Sequence, residues 1–167
     1  MARRQRDAHS HPLGVTVTEA HDQKVSHHYT VHYPPHPARE SDPHYADFNH
    51  YHKTHRPTAR CYIGERIGYQ DCRDEHGNAC PPPDEGEQPG LELHHAHVEF
   101  ALQQGIDLAA LEKDFPGISN TTDVGAWVES DINFRWLCTF HHRGMGGAHT
   151  VAHADWEAEQ YVRGLIS

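Results

Sequence analysis

Leucine alternates with polar residues in LELHH (91–95), with Leu91 and Leu93 on one face of an extended segment and Glu92 and His94 on the other. This predicts a strand. INFRWLC (132–138) reads as another. Between them, AHVEFALQQG (96–105) predicts a helix stopped by Gly105. IDLAALEKDFPG (106–117) predicts a second helix, capped by Asp107 and ended before Pro116. TFHHRG (139–144) reads as a turn into a helix, and HADWEAEQYVRG (153–164) as a terminal helix with Trp156, Tyr161 and Val162 towards the core. Upstream, VTVTEA and HHYTVHY alternate around the turn-prone HDQK, the pattern of a hairpin. Pro43 after Asp42 opens a short helix over DPHYADFNHYHK. RCYIGERIGYQDC (60–72) reads as a tight turn and short strand, and residues 74–90 as an irregular loop rich in Pro, Gly and acid. A loop of that length needs a staple or a function.

Composition changes this picture in three ways. Only 36% of the 167 residues are hydrophobic, so a single small core is expected, with much of the chain in loops, metal-supported structure or an exposed arm. Eleven of the 19 histidines fall in residues 1–60, which marks that segment as a distinct arm. The charge is uneven: residues 1–60 hold 8 Lys and Arg against 6 Asp and Glu, leaving 6 against 18 in residues 61–167 and a net of -10 overall. An acidic C-terminal part argues against tight non-specific binding to phosphates. With no run of about 18 apolar residues and no apolar leader after MARRQRDAHSHP, the expectation is a soluble, cytoplasmic protein without a membrane partner. In such a compartment four cysteines mixed with histidines suit a metal better than bridges, a Cys72–Cys80 disulfide being the alternative.

Two segments carry candidate chemistry, LELHHAHVE and NFRWLCTFHHRG. Neutral imidazole binds divalent metal and also takes a proton near neutral pH. Adjacent histidines on a strand point to opposite sides and can divide these tasks. Such a division suits phosphodiester hydrolysis, in which a metal neutralises charge and a base generates the nucleophile.

Asn133, Leu137, Cys138, His141 and His142 form an Asn-x3-Leu-Cys-x2-(Cys/His)-His pattern that, with the upstream Leu-Glu-x-His-His, resembles the HNH endonucleases, the ββα-metal or His-Me finger family of bacteria and bacteriophages. The resemblance spans about residues 61–150. It implies an α+β fold: a small ββα-metal finger stapled by a structural zinc, with inserted helices, an N-terminal arm over 1–60 and a C-terminal packing helix over 151–167. It further implies hydrolysis of DNA, most naturally double-stranded, with a protein partner as a further source of specificity. Residue by residue, His95 takes the place of the general base and Asn133 that of the amide holding the base loop. His94 and His142 stand where the family binds its catalytic ion (Mg2+, Mn2+ or Zn2+), and Arg143 is placed to contact a phosphate. Cys138 and His141 match one half of the structural zinc site. Cys80, 14 positions before His94, is the favoured ligand for the other half, with Cys72 or Cys61 completing the set.

The pattern departs from the family where 37 residues separate His95 from Asn133, which predicts an insertion that packs on the finger or reads the substrate. Glu99 reads as compensating a helix dipole, His97 as a surface residue and His149 as an exposed loop histidine, each ahead of a metal or phosphate role. A zinc deaminase would use His97-x-Glu99 with Cys138-x2-His141, but it lacks the Pro and the second Cys and leaves His94, His95 and His142 unexplained. A zinc-stapled binding or DNA-packaging accessory protein without cleavage is the other reading.

Overall fold

The computed structural model describes residues 33–118, 123–153 and 156. The hairpin expected within 15–33, and Tyr161 and Val162 of the terminal helix, lie outside the described residues. The described elements, in chain order, are α1 (Tyr45–His55), α2 (Tyr62–Ile67), β1 (Leu91–His95), α3 (Leu108–Asp114), α4 (Val124–Val128), β2 (Phe134–Cys138) and α5 (Thr139–His142). Short 3-10 turns occupy Arg39–Ser41, Phe100–Gly105 and Asp131–Asn133. The protein is thus a small α+β structure around a two-stranded antiparallel sheet. None of its described helices is long and apolar enough to cross a membrane.

Register organises everything else. Leu91 pairs with Cys138, Leu93 with Trp136 and His95 with Phe134, while Glu92 faces Leu137 and His94 faces Arg135. Cross-strand partners share a face, so His95 belongs to the Phe134 and Trp136 side and His94 to the opposite one. Helix α1 covers the first side, where Phe48 and Tyr51 lie 5.4 and 5.1 Å from the Phe134 ring and His52 lies 5.0 Å from Trp136. The main core joins Ile63, Ile67, Leu91, Leu93, Phe134, Trp136 and Leu137, with Phe140 and Trp156 packed against it. Leu137 is wholly buried, and truncation to alanine at such a site costs about 2–5 kcal/mol.

Several elements differ from the sequence reading. Residues 62–67 form a helix, not a strand, because Ile63 and Ile67 stand one turn apart and bury the same stripe. Gly64 is needed there: a Cβ would sit 2.4 Å from the Tyr69 ring and 3.1 Å from the Cys72 sulfur. The helix expected from Ala96 begins only as a 3-10 turn at Phe100. The Asn133 side-chain oxygen accepts from the backbone N–H of His97 and of Val98, which holds residues 96–98 out of a helix. The helix over 108–114 is capped by Asp107 as expected, its carboxylate accepting from Ala109 and Ala110. Helix α1 starts two residues after Pro43, with Asp42 accepting from the His44 N–H, and runs on to His55. Helix α4 was not anticipated, since Gly125 and β-branched Val124 and Val128 read poorly as helix formers. It is held by its Asp123 cap and by burial of Trp127 and Val128. The expected insertion forms a second small core: Ile118, Trp127 and Val128 with Val98, Ile106, Leu111, Phe115 and Val124.

Candidate metal centres and the base between them

Two groups of metal-binding side chains converge, one on each side of the β2–α5 junction. In the first, Cys61, Cys72, Cys138 and His141 are all buried and their ligand atoms lie within 4.8 Å of one another. Cys61 is at the N-terminus of α2, Cys138 ends β2, and His141 lies one turn into α5. The His141 Nδ1 is 3.2 Å from the Cys138 sulfur, 3.4 Å from Cys61 and 3.8 Å from Cys72. A tetrahedral zinc with ordinary Zn–S and Zn–N bonds separates such atoms by about 3.6 Å, so this donor set fits the ion. Electrostatics point the same way. Hydrogen bonds from Cys61 and Cys72, helped by His141, hold Cys138 far below the usual thiol range. Burial opposes charge on His141, yet Cys138 and Cys61 raise its pKa to about 10. A thiolate is thus already favoured where a metal would draw one.

The expected zinc set needs one correction. Cys61 and Cys72 both belong to the group, and Cys80 falls outside it. Cys80 returns through the hairpin-like bridge between Arg73 and Ala79, and its N–H donates to the Cys72 carbonyl at 3.1 Å. Its own carbonyl accepts from Gln88, and its thiol, pushed up to about 12 by burial and by Cys138 and Cys61, packs beside the group. Counting positions before His94 favoured Cys80, but spacing along a loop says nothing of which buried thiols converge on Cys138 and His141. All four cysteines are free thiols, so the alternative Cys72–Cys80 disulfide is not formed.

The second group comprises His94, His142 and His149, graded from buried to exposed. His142 Nδ1 is 2.6 Å from Glu92 Oε2, which leaves Nε2 turned to His149 Nε2 at 3.1 Å. Burial, aided by His142 and His149, lowers the His94 pKa to about 3, and its buried Nδ1 has no hydrogen-bond partner among the described residues. Burial also lowers His142, although Glu92 works against it. Three imidazoles with a carboxylate behind one of them match a metal site with open positions. His149, read from sequence as a plain loop residue, is brought back by the GMGG turn, with its N–H donating to the His142 carbonyl. Gly147 permits that approach, since a Cβ there would sit 2.6 Å from the His142 oxygen. Arg143 is half engaged: it pairs with Glu92 at 2.6 Å while its side chain stays largely exposed.

His95 is the last residue of β1, on the α1 side, buried and stacked on Phe48 at 5.8 Å. Its Nε2 is 3.1 Å from Glu129 Oε2 and 3.3 Å from an Arg39 nitrogen. Glu99 links the two faces of β1: Oε2 lies 3.7 Å from His95 Nδ1, and Oε1 lies 3.8 Å from His94 Nδ1 and 3.5 Å from His149 Nε2. Glu99 therefore faces the histidines and makes no side-chain cap for the turn it precedes, contrary to the dipole reading. Asn133 is wholly buried, and the hydrogen bonds of its side chain go to the backbone of His97, Val98 and Val128 and not to the His95 ring. Its amide donates to the Val98 and Val128 carbonyls, and its backbone carbonyl accepts from Ala96, so it pins the loop that follows His95. His97 packs on Phe115 at 4.9 Å, away from both groups. This separates the halves of a deaminase signature, because Cys138 and His141 serve one group and Glu99 the other. Glu129 and Arg39 gave no motif-level signal, and Glu92 and Glu99, although inside quoted patterns, were given no part beside these histidines; only their position in space marks them.

Fold and side chains together define a small α+β protein with a buried Cys3His group able to hold a metal ion such as zinc. Comparison of the chain with protein-family models, with curated proteins and with solved structures finds no match.

Proposed function

We propose that the protein is a metal-dependent endonuclease of the HNH type, with β1, β2 and α5 as its ββα-metal finger and the Cys3His group as its zinc staple. The observation that carries this reading is His95: an imidazole with a buried carboxylate partner, next to an open three-histidine group and sharing Glu99 with it. His94, His142 and His149 would hold the catalytic ion. Their imidazole-rich set suits zinc or another transition ion better than magnesium, which prefers carboxylate and water oxygens. When bound, that ion neutralises charge developing on the scissile phosphate and the leaving oxygen.

The chain's own residues supply the rest. His95 takes the proton of the attacking water, and Glu129 holds the imidazole while it does so. Glu92 fixes the ring of His142 through Nδ1, so that Nε2 stays directed at its histidine neighbours. Asn133 keeps residues 96–98 in the conformation that delivers Glu99. Arg143, mostly exposed and anchored by Glu92, is positioned to pair with a substrate phosphate. DNA is the proposed substrate, and a partner protein is a proposed source of site choice for so acidic a chain.

The test is incubation of supercoiled plasmid with purified protein in Zn2+, Mn2+ or Mg2+, with end mapping of the products. Metal-dependent nicking that falls about 10²–10⁴-fold in His95→Ala is expected, the range for loss of a general base. Absence of cleavage in every metal, or cleavage that survives the substitution, would remove the assignment.

A further inference from the structure

We propose that Glu129 and Arg39, which lie outside the two motifs, are positioning residues that keep the proton of His95 on Nε2 and so leave Nδ1 as the basic nitrogen. This rests on the nuclease reading only for its consequence in catalysis; the tautomer itself is a property of the folded protein.

The argument starts from burial. The Glu129 side chain is 0% exposed, a costly place for a carboxylate unless its oxygens are matched by donors. Arg39 matches both, Nε to Oε1 at 3.1 Å and a terminal nitrogen to Oε2 at 3.0 Å, a bidentate fork. Burial alone would raise the Glu129 pKa, but the bonds from His95 and Arg39 outweigh it and lower the pKa overall. An ionised carboxylate only accepts. With Oε2 at 3.1 Å, His95 Nε2 must therefore be the N–H donor. With the proton on Nε2, the Arg39 nitrogen 3.3 Å away meets no lone pair there and directs an N–H to Oε2. In the neutral ring Nδ1 then keeps its lone pair, on the side of Glu99.

The origin of these two residues gives the pair its significance. Glu129 follows α4, inside the insertion between the motifs, and Arg39 belongs to the segment before Cys61. Arg39 is itself held over the Phe48 ring at 3.9 Å, the ring on which His95 stacks. Arm and insertion, the two parts that the nuclease pattern leaves unexplained, thus meet on the proposed base.

The replacement Glu129→Gln tests this. With its oxygen kept by Arg39 Nε, the new amide would point its NH2 at His95 Nε2 and move the ring proton to Nδ1, much as an amide in place of a triad carboxylate selects the wrong tautomer. Ring-nitrogen NMR shifts, with His95 identified by its loss in His95→Gln, should show Nε2–H in the wild type and Nδ1–H or a mixture in Glu129→Gln. Plasmid-nicking kcat should fall roughly 10–100-fold, with KM and metal content held. Arg39→Lys, which keeps charge but loses the fork, should give a smaller fall of the same kind. A wild-type Nδ1–H ring, or a Glu129→Gln protein with unchanged ring shifts and kcat, would overturn the proposal. If Glu129→Gln does not fold, the wild-type ring shifts and Arg39→Lys decide. If the wild type cleaves nothing, the nuclease reading fails while the ring shifts still judge the tautomer.

Discussion

Cys61, Cys72, Cys138 and His141 are all buried, whereas His94, His142 and His149 grade from buried to exposed. Both groups draw on the same short stretch, since His141 and His142 are neighbours at the end of α5 and point into different groups. The buried sulfurs bring α2, the loop at Cys72, β2 and α5 together, where a metal ion would tie these segments to one another. Imidazoles at the surface leave coordination positions that a substrate can enter. The difference teaches that, on the proposed reading, exposure more than ligand identity would divide a staple from a site of chemistry in a protein this small.

The largest test of that contrast is Cys138→Ser. Structural zinc sites contribute about 10–16 kcal/mol of binding free energy, as much as the entire stability of a typical domain, about 5–15 kcal/mol. The variant should therefore lose cooperative thermal unfolding and its bound zinc. A melting curve like that of the wild type would refute the staple.

Acid gives an intermediate effect, and its sign can be worked out from His94. Its folded pKa is lowered to about 3 from an ordinary 6.5, so between those values the unfolded chain binds the extra proton and the folded one does not. The stability held above pH 6.5 is lost as pH falls towards 3. A metal on His94 adds loss of the same sign, because protons compete for its nitrogen. Urea unfolding at pH 7.5, 6.0 and 5.0 should show a steeper decline for the wild type than for His94→Gln. Parallel declines would show that His94 is not held neutral.

The smallest effect on folding should come from His149→Ala. The ring is 43% exposed in its side chain and ties no buried element. A Tm shift of about 2 °C or less is expected, typical of surface substitutions. Elemental analysis should nevertheless find bound metal reduced from two ions per chain to one, and nicking should fall about 10-fold or more. A variant that keeps both ions would place His149 outside the site.

Legibility from sequence followed the range of the interactions involved. The two strands were plain because alternation is local, and the Asp107 cap because it acts within one turn. The helix at 62–67 was misread because its stripe of Ile63 and Ile67 is short and matches a buried strand equally well. His94, His95, Asn133, Cys138, His141 and His142 stood out through spacing within two compact segments. His149 did not, because its return depends on the room that Gly147 leaves beside the His142 carbonyl.

What the sequence determined by itself is the donor chemistry and the two strands: which residues can hold metal or move a proton, and that β1 presents His94 and His95 on alternate faces. Which donors gather was decided only by tertiary structure. Cys61 and Cys72 enter one group while Cys80 stops beside it, and Glu129 and Arg39 reach His95 from 34 and 56 residues away. The physical reason is that burial selects these partners. A carboxylate or thiol removed from water must find donors or a metal wherever the fold brings them, and separation along the chain carries no record of that choice.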